Sequence, residues 1–322
     1  MKAAIRKIYG SPDILKIEAI EKPTLKDNEV LIRIYATTVN RTDCAVLTGK
    51  PLIMRLFTGL INPKLATPGT DFAGKIEAVG NGVKSFRVND KVWGFDDQGL
   101  GSQAEYMCFS AEGTITKMPD NITYEQAAAS LEGAHYAYNF INKVKLQAGQ
   151  KVLVNGATGA IGSAILQFLK YYNIYVTAVC NTENTGLIKA LGADKIIDYH
   201  KEDFTNDDEK YDFVFDAVGK STFAKCKPLL KKNGIYISSE LGPNIQNPLL
   251  ALITPFFGGK KVVFPIPSNI KGSMSFIGEL IEKGKFKAVI DRTYPLENIS
   301  EAYKYVASGK KTGNVVITMP DN

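Results

Sequence analysis

Apolar and polar positions fall into two textures along this chain. Between residues 151 and 266, short apolar runs rich in β-branched residues alternate with stretches whose apolar residues recur at helical spacing. Runs at 152–154, 175–180, 195–199, 213–218, 234–239 and 261–266 read as strands buried on both faces. Stretches at 163–172, 183–191 and 221–231 read as the helices that separate the first five strands. Strands alternating with helices predict an α/β fold with a parallel, doubly wound sheet.

The first strand of that region runs into K-V-L-V-N-G-A-T-G-A-I-G at 151–162, and a helix-forming run follows at once. Gly156, Gly159 and Gly162 stand three apart. The first permits a tight turn, the second lets backbone approach a pyrophosphate, and the third lets the helix pack on the strand. Helix N–H groups then face the phosphates. Gly156, Ala157, Thr158, Gly159, Ala160, Ile161 and Gly162 are therefore candidate cofactor contacts, against the plain alternative of a βα turn without a ligand. Six strands complete a dinucleotide-binding fold, with the ligand at the carboxyl ends of the strands.

The flanks differ. Strand candidates at 1–9, 30–38, 74–79 and 91–94 are separated by loops rich in Gly, Pro, Asn and Asp, which predicts a small, partly open β-barrel. A helix opens at 123, capped by Asn121 or Thr123 with Glu125 or Gln126 closing the cap, and runs to about 143. After the sixth strand, 268–284 carries a helical stripe of Met274, Ile277, Leu280 and Ile281. An apolar pair (Val289, Ile290), a helix at 299–308 and a strand at 314–318 follow. The last stretch resembles the first in texture, so the chain is expected to return to its first domain: 1–122, then 123–267 for the nucleotide, then 268–322.

Composition narrows the class. With 322 residues, 45% apolar and 22% charged, the chain is an ordinary globular protein. The net charge of +6 is scattered, and the densest basic run, 225–232, falls at a predicted helix end where cations suit the dipole; no nucleic-acid partner is expected. The four cysteines form no C-x-x-C and read as reduced thiols. The start has no apolar signal core, and the longest apolar run, 249–257, is too short to span a bilayer. A soluble cytoplasmic protein without membrane contact is expected.

Several motifs in one order resemble the medium-chain dehydrogenase/reductase superfamily: P-G-T-D-F-A-G-K-I-E-A-V-G at 68–80, D-K-V-W-G-F at 90–95, A-E-Y at 104–106, G-A-T-G-A-I-G at 156–162, L-G-A-D-K-I-I-D-Y at 191–199 and F-D-A-V-G at 215–219. They cover nearly the whole chain and are most similar to the zinc-free quinone oxidoreductase branch. The resemblance implies a GroES-like catalytic domain, a Rossmann domain, a cleft between them, NADPH as cofactor and a homodimer joined through the sixth strand. It also shows departures. Zinc alcohol dehydrogenases have a cysteine where Asn40 stands, G-H-E where this chain has Gly69, Thr70 and Asp71, and a third ligand near Leu131 or Glu132. The lobe with a four-cysteine zinc is absent. A catalytic zinc needs three protein ligands, and His135 and His200 do not have ligand spacing. No metal is expected.

Without a metal, another group must steady the oxygen that gains charge as hydride arrives. By resemblance, Asn40 lies beside the nicotinamide, Arg41 near the pyrophosphate, and Thr42 where zinc enzymes keep a relay hydroxyl. A polar turn that closes a strand is the alternative. His135, in E-G-A-H-Y-A-Y at 132–138, is the second candidate, since a histidine there could donate a proton near neutral pH. A buried, hydrogen-bonded histidine is its alternative, and Glu132 and Tyr138 stay equally open. The Thr42/Asn40 pair is preferred, because a neutral donor works across a wide pH range. The cofactor phosphate is expected near Asn181 and Thr182 and, by resemblance, near Tyr199 and Lys311, with Val218 contributing. No acid follows the second strand until Glu183, which favours NADPH, with NADH as the alternative. The expected activity is hydride transfer from NADPH to a quinone or an α,β-unsaturated carbonyl without a metal. Its rivals are a metal-free alcohol or aldehyde dehydrogenase and a non-catalytic NADPH-binding protein. Stretches 50–60 and 249–257 are expected to line the substrate pocket or to make dimer contacts.

Overall fold

A computed structural model describes residues 1–52 and 54–320. In chain order it begins with β1 (Lys2–Ile5), β2 (Lys16–Ala19), β3 (Glu29–Val39), α1 (Arg41–Thr48) and α2 (Met54–Thr58). Next come β4 (Asp71–Val79), β5 (Lys91–Phe95), β6 (Tyr106–Ser110), β7 (Ile115–Lys117), α3 (Tyr124–Ala129) and α4 (Glu132–Ile141). The middle of the chain has β8 (Lys151–Asn155), α5 (Ala160–Tyr171), β9 (Tyr175–Cys180), α6 (Thr185–Ala190), β10 (Lys195–Asp198), β11 (Tyr211–Asp216) and α7 (Phe223–Cys226). The remainder is β12 (Leu230–Ser238), α8 (Gln246–Ile253), β13 (Lys261–Val263), α9 (Ile270–Glu282), β14 (Ile290–Pro295), α10 (Ile299–Ala307) and β15 (Asn314–Thr318). These elements form two compact units. One holds residues 1–132, 270–282 and 287 onward, the other 133–269 and 283–286.

The second unit is the parallel six-stranded sheet that the alternation predicts, in the order β10-β9-β8-β11-β12-β13. β9 and β10 lie on one side of β8 and β11 to β13 on the other, so the winding reverses between β8 and β11. The carboxyl ends of those two strands are the place where such sheets take their ligand. Leu153, Val214, Tyr236 and Val262 pack in this unit's core with Phe223, Cys226 and Leu229.

The first unit carries a mixed sheet in the order β14-β15-β3-β4-β5-β7, with β6 also paired to β3 and β1 paired with β2 apart from it. β3 runs through 11 residues, and its register on β4 shifts twice, which lets one long strand bend and serve several neighbours. α10 closes this core with Ile299, Ala302, Tyr303 and Val306, a helical stripe of wholly buried residues.

The expected helix at 123–143 is two helices. Ser130 ends α3, and its hydroxyl donates to the Gln126 carbonyl oxygen at 2.6 Å, a local bond that competes with helix continuation. Ala127, Ala128 and Ala129 are buried, and α3 lies against β3 and β4, so the compact units divide at Glu132 rather than at 122. Of the apolar pair at 289–290, Ile290 opens β14, a strand the sequence reading leaves out, as it does α1, α2, α8, β2, β6 and β7.

Candidate active site

The glycine turn shows why each glycine stands where it does. Gly156 has φ +78°, and a Cβ there would meet Val218 Cβ at 2.7 Å. A Cβ on Gly162 would sit 2.1 Å from the Gly156 carbonyl oxygen, so this position must stay bare for α5 to start against the turn. Gly159 differs, since a Cβ there meets only that same oxygen, at 3.7 Å. Its bareness keeps open a cradle at the N-terminus of α5, a 12-residue helix capped by Gly159 without any side-chain bond. A pyrophosphate fits this place chemically, since first-turn N–H groups lack helical partners and the dipole favours an anion. Thr158, Gly159, Ala160 and Ile161 border the turn where NADPH would be held. Ala157 does not belong with them. It is fully buried, and its N–H donates to the Val179 carbonyl oxygen at 3.2 Å.

A buried carboxylate, Asp216 at the end of β11, ties this turn to the next loop. It accepts from Asn155 Nδ2 at 3.0 Å, from the N–H groups of Val218, Gly219 and Ser221 at 3.3, 2.9 and 3.2 Å, and from the Tyr236 hydroxyl at 2.9 Å. Asn155 immediately precedes Gly156, so one side chain holds both loops at the switch point. Sequence reasoning passes over this role, although the run F-D-A-V-G marks the place. At the ends of β9 and β10, Asp198 accepts from the Thr182 hydroxyl and from the His200 N–H and pairs with Lys201 at 3.3 Å. The Thr182 bond is the main cause that holds the Asp198 carboxyl below its ordinary range. Tyr199 stands exposed beside His200, with ring centroids 4.6 Å apart. Asn181 is half-buried and Thr182 exposed at the same strand end.

The other candidates gather in the first unit. Asn40 caps α1, and its own N–H donates to Asp43 Oδ2 at 2.8 Å. Asn40 Nδ2 donates to Thr38 Oγ at 2.7 Å. The Thr38 hydroxyl in turn donates to Asp71 Oδ2, so it can only accept from Asn40, which fixes the amide's orientation. Asp71 also takes the Thr38 N–H at 2.7 Å and the Thr37 hydroxyl at 3.2 Å. Thr70 donates to Glu132 Oε2 at 3.2 Å. Asp43, Asp71 and Glu132 are all buried. Burial, reinforced by neighbouring carboxyls, raises Asp43 far above the usual carboxylate range and brings Asp71 to about 7; burial also raises Glu132, opposed there by hydrogen-bond donors and the Lys311 ammonium. Lys311 lies half-buried in the same unit, donates to the Gly313 carbonyl oxygen and faces Glu132; burial pulls its ammonium down to about 8. Arg41 is exposed at the start of α1 and Thr42 is half-buried. The structure thus brings Thr70 to Glu132, and Asn40 through Thr38 to Asp71, residues that lie far apart along the chain.

His135 belongs to the second unit and does not fit the part of a proton donor. It is 1% exposed, and burial pulls its ring down to about 4, so it is neutral at pH 7. Asn139 packs against it, donating to the His135 carbonyl oxygen at 2.9 Å and accepting the Ser268 N–H at 3.1 Å. Of the two stretches expected to line a pocket, 50–60 exposes Leu52, Leu56 and Leu60, and 249–257 exposes Leu249, Leu252, Phe256 and Phe257. Ile53 lies outside the described residues. Among the described residues, no group of three or more His, Cys, Asp and Glu side chains is arranged to hold a metal ion, and no helix is long and apolar enough to cross a membrane.

The comparisons with known proteins agree with this layout. The family model described as the alcohol dehydrogenase GroES-like domain matches residues 26–120, and that described as zinc-binding dehydrogenase matches 191–317. An NADPH-dependent alkenal/one oxidoreductase of Arabidopsis thaliana, named as chloroplastic, is 31% identical over 98% of this chain and 79% of its own length. A chloroplastic quinone oxidoreductase of Triphysaria versicolor is 31% identical over 94% and 93%. The solved structure of a quinone oxidoreductase from Coxiella burnetii shares the fold with a TM-score of 0.85 over 99% of both chains at 24% identity. The chain belongs to the medium-chain dehydrogenase/reductase superfamily, beside its quinone and enone oxidoreductases.

Proposed function

We propose that this protein is an NADPH-dependent oxidoreductase that reduces quinones or α,β-unsaturated carbonyls, and that it does so without a metal. The observation that carries this reading is the polar cluster around Glu132. Asn40 and Thr70 stand where zinc relatives keep ligands, with the third place near Leu131 or Glu132, and here Asn40 donates to Thr38 and Thr70 to Glu132. When bound, NADPH supplies a hydride. The chain's own part is to hold the cofactor at the glycine turn, to orient the acceptor and to stabilise its oxygen. Thr42 is the proposed donor to that oxygen. It is half-buried, whereas Asn40 is buried and its amide donates to Thr38, so Asn40 positions the cluster. One such donor lowers the barrier by about 3–4 kcal/mol.

NADPH is preferred to NADH in this reading. Asp198, at the end of β10, is already engaged with Thr182, His200 and Lys201, and Lys201 places an ammonium at the same strand end as Tyr199. A homodimer is also proposed. β13 is an edge strand with one free side, and the neighbouring segment exposes Leu249, Leu252, Phe256 and Phe257. The four free thiols suit a reducing compartment, and the cytoplasm is our assignment, although both relatives above are named as chloroplastic.

The test is NADPH oxidation by purified, chelator-treated protein over quinones, enones, enals and simple aldehydes. Turnover of a quinone, or of an enone to its saturated ketone, is expected. Reduction of enones only to allylic alcohols, or activity that dies with the chelator and returns with zinc, would sink the proposal.

A further inference from the structure

We propose that the sheet of the first unit carries a second anion site, in which Arg33, Lys75 and Lys91 hold a diphosphate group. The site goes beyond the activity proposed above and does not depend on it.

Strand register brings the three cations together. β3, β4 and β5 are antiparallel neighbours, and Arg33 stands opposite Lys75, which stands opposite Lys91. Residues directly opposite one another share a face of the sheet. The alternate residues Ile32, Ile34, Ile76 and Val92 enter the core, so the cations turn to the other face. Arg33 and Lys75 are half-buried and Lys91 is exposed. Like charges placed directly opposite destabilise a sheet, and here two such pairs run in succession. Among the described residues, none of these three side chains has a carboxylate at ion-pair distance or makes a hydrogen bond.

Two tyrosines fix the ends of the row. The Arg33 guanidinium lies 5.1 Å from the Tyr35 ring centroid. Tyr35 and Tyr124 stack with centroids 4.5 Å apart and planes 9° apart. The Lys91 ammonium is 6.0 Å from the Tyr124 centroid. A ring face attracts a cation without taking up its negative partner, and the N–H hydrogens stay free to donate. The outer cations are therefore held in place but not neutralised, which lowers the ordering cost of a ligand.

The charges around the row limit the ligand's size. On β6, Tyr106 stands opposite Arg33, and the Lys22 ammonium that covers it is paired with Glu77. On β7, next to β5, Lys117 is paired with Asp90 at 3.0 Å. The uncompensated charge is thus confined to three strands, too short a track for nucleic acid, whose binding draws on a run of phosphate contacts. Neighbouring strands lie about 4.8 Å apart, so the row spans roughly 10 Å. A single phosphate reaches two adjacent cations. A diphosphate reaches all of them, and its charge near neutral pH balances theirs. The planar guanidinium of Arg33 offers one phosphate two parallel N–H bonds, and the lysines act as point charges.

Calorimetric titration with inorganic pyrophosphate tests the site. The titration is free of divalent cations and held at about 0.1 M ionic strength, where charges more than ~10 Å apart are screened. NADPH is kept saturating, so that the glycine turn is occupied. One pyrophosphate per chain is expected, bound at least about tenfold more tightly than sulfate. Lys75→Gln should weaken it at least about tenfold. Without ligand, this variant should melt no lower than the wild type, because the central repulsion is gone. Lys16→Gln removes the same charge from an exposed position on β2 and should leave the affinity unchanged. Methyl diphosphate separates the sources of the group. Tighter binding of the ester assigns the site to an organic diphosphate, tighter binding of pyrophosphate to the inorganic ion, and each upholds it. A wild type without saturable heat overturns the proposal, as does equal affinity for sulfate. So does a folded Lys75→Gln protein that binds as the wild type does, or a loss in Lys16→Gln as large as in Lys75→Gln. Turnover enters none of these outcomes, so failure of the site leaves the proposed reductase untouched.

Discussion

Gly159 and Gly162 sit three residues apart in one turn, yet they resist substitution for different reasons. A Cβ on Gly162 collides with backbone, so Gly162→Ala should cost about 1–3 kcal/mol through overpacking and lower the melting temperature even without cofactor. A Cβ on Gly159 has room in the empty fold, since its nearest contact is 3.7 Å away. Gly159→Val should therefore melt close to the wild type and bind NADPH at least about tenfold more weakly, by intrusion on the phosphate cradle. Fluorescence titration beside thermal melts would tell the two apart; a Gly159→Val protein with unchanged affinity would put the phosphate elsewhere. His135 invites the opposite expectation. Its ring is neutral at pH 7 and buried, so His135→Gln should cost stability, about 1–3 kcal/mol for the disturbed packing and hydrogen bonds, and leave the apparent pKa values of the rate profile where they were. The glycines were legible because their spacing is local. The cluster of Asn40, Thr70, Glu132 and Lys311 was not. Its members come from four distant segments, and only the folded chain reveals that Thr70 donates to Glu132 and that Asn40 is tied through Thr38 to Asp71.

Elements whose burial pattern is strong were readable, and those half-exposed were not. β9 spans Tyr175–Cys180 and β15 spans Asn314–Thr318, the limits that the apolar runs suggest, because both are buried along nearly their whole length. β2, β6 and β7 alternate less cleanly, with several exposed or half-exposed residues each. α1 was hidden by its polar start, although Asn40 and Asp43 have the spacing of a capping box and could have given it away. Two caps proposed for α3 are now distinguished. Thr123 Oγ accepts the Gln126 N–H at 3.3 Å, whereas Asn121 donates across to the Ile281 carbonyl oxygen at 3.1 Å. Thr123→Ala should lower stability by about 1 kcal/mol, read by denaturant melts, and Thr123→Ser should restore it. Asp216 is the element-scale counterpart at the switch point. It accepts from Asn155, from Tyr236 and from three loop N–H groups, so Asp216→Asn should loosen the loop at 216–221. NADPH affinity should drop by about tenfold or more, roughly one lost charge-assisted bond. Full affinity in that variant would deny the loop its place in the site.

Across the whole molecule, the buried titrating groups set how stability depends on pH, and their signs oppose. Asp71 stands at about 7 in the folded chain against an ordinary value of 3.8, and Asp43 and Glu132 are raised as well. Between these limits the folded chain keeps protons that the unfolded chain has lost, so stability falls as pH rises through the window. His135 runs the other way. Its folded value is about 4 against 6.5, so the unfolded chain takes up a proton that the folded chain refuses, and stability rises with pH up to about 6.5. Lys311, lowered to about 8 from 10.5, likewise adds stability with rising pH, but only above about 8. The two directions overlap in acid. Just below pH 7 the histidine contribution is complete and Lys311 has not begun, so the carboxyls act alone. The melting temperature of the cofactor-free protein should therefore fall between about pH 6 and pH 8, unlike that of a protein whose carboxylates are all paired. Asp71→Asn should flatten the fall by removing the carboxyl that stands at about 7. His135→Gln should steepen it between about pH 5 and 6.5 by removing the opposing group. Melts at closely spaced pH values with both variants would decide the matter. A wild-type melting temperature that rises from pH 6 to 8 would mean that the buried carboxyls of the first unit are ionised at neutral pH.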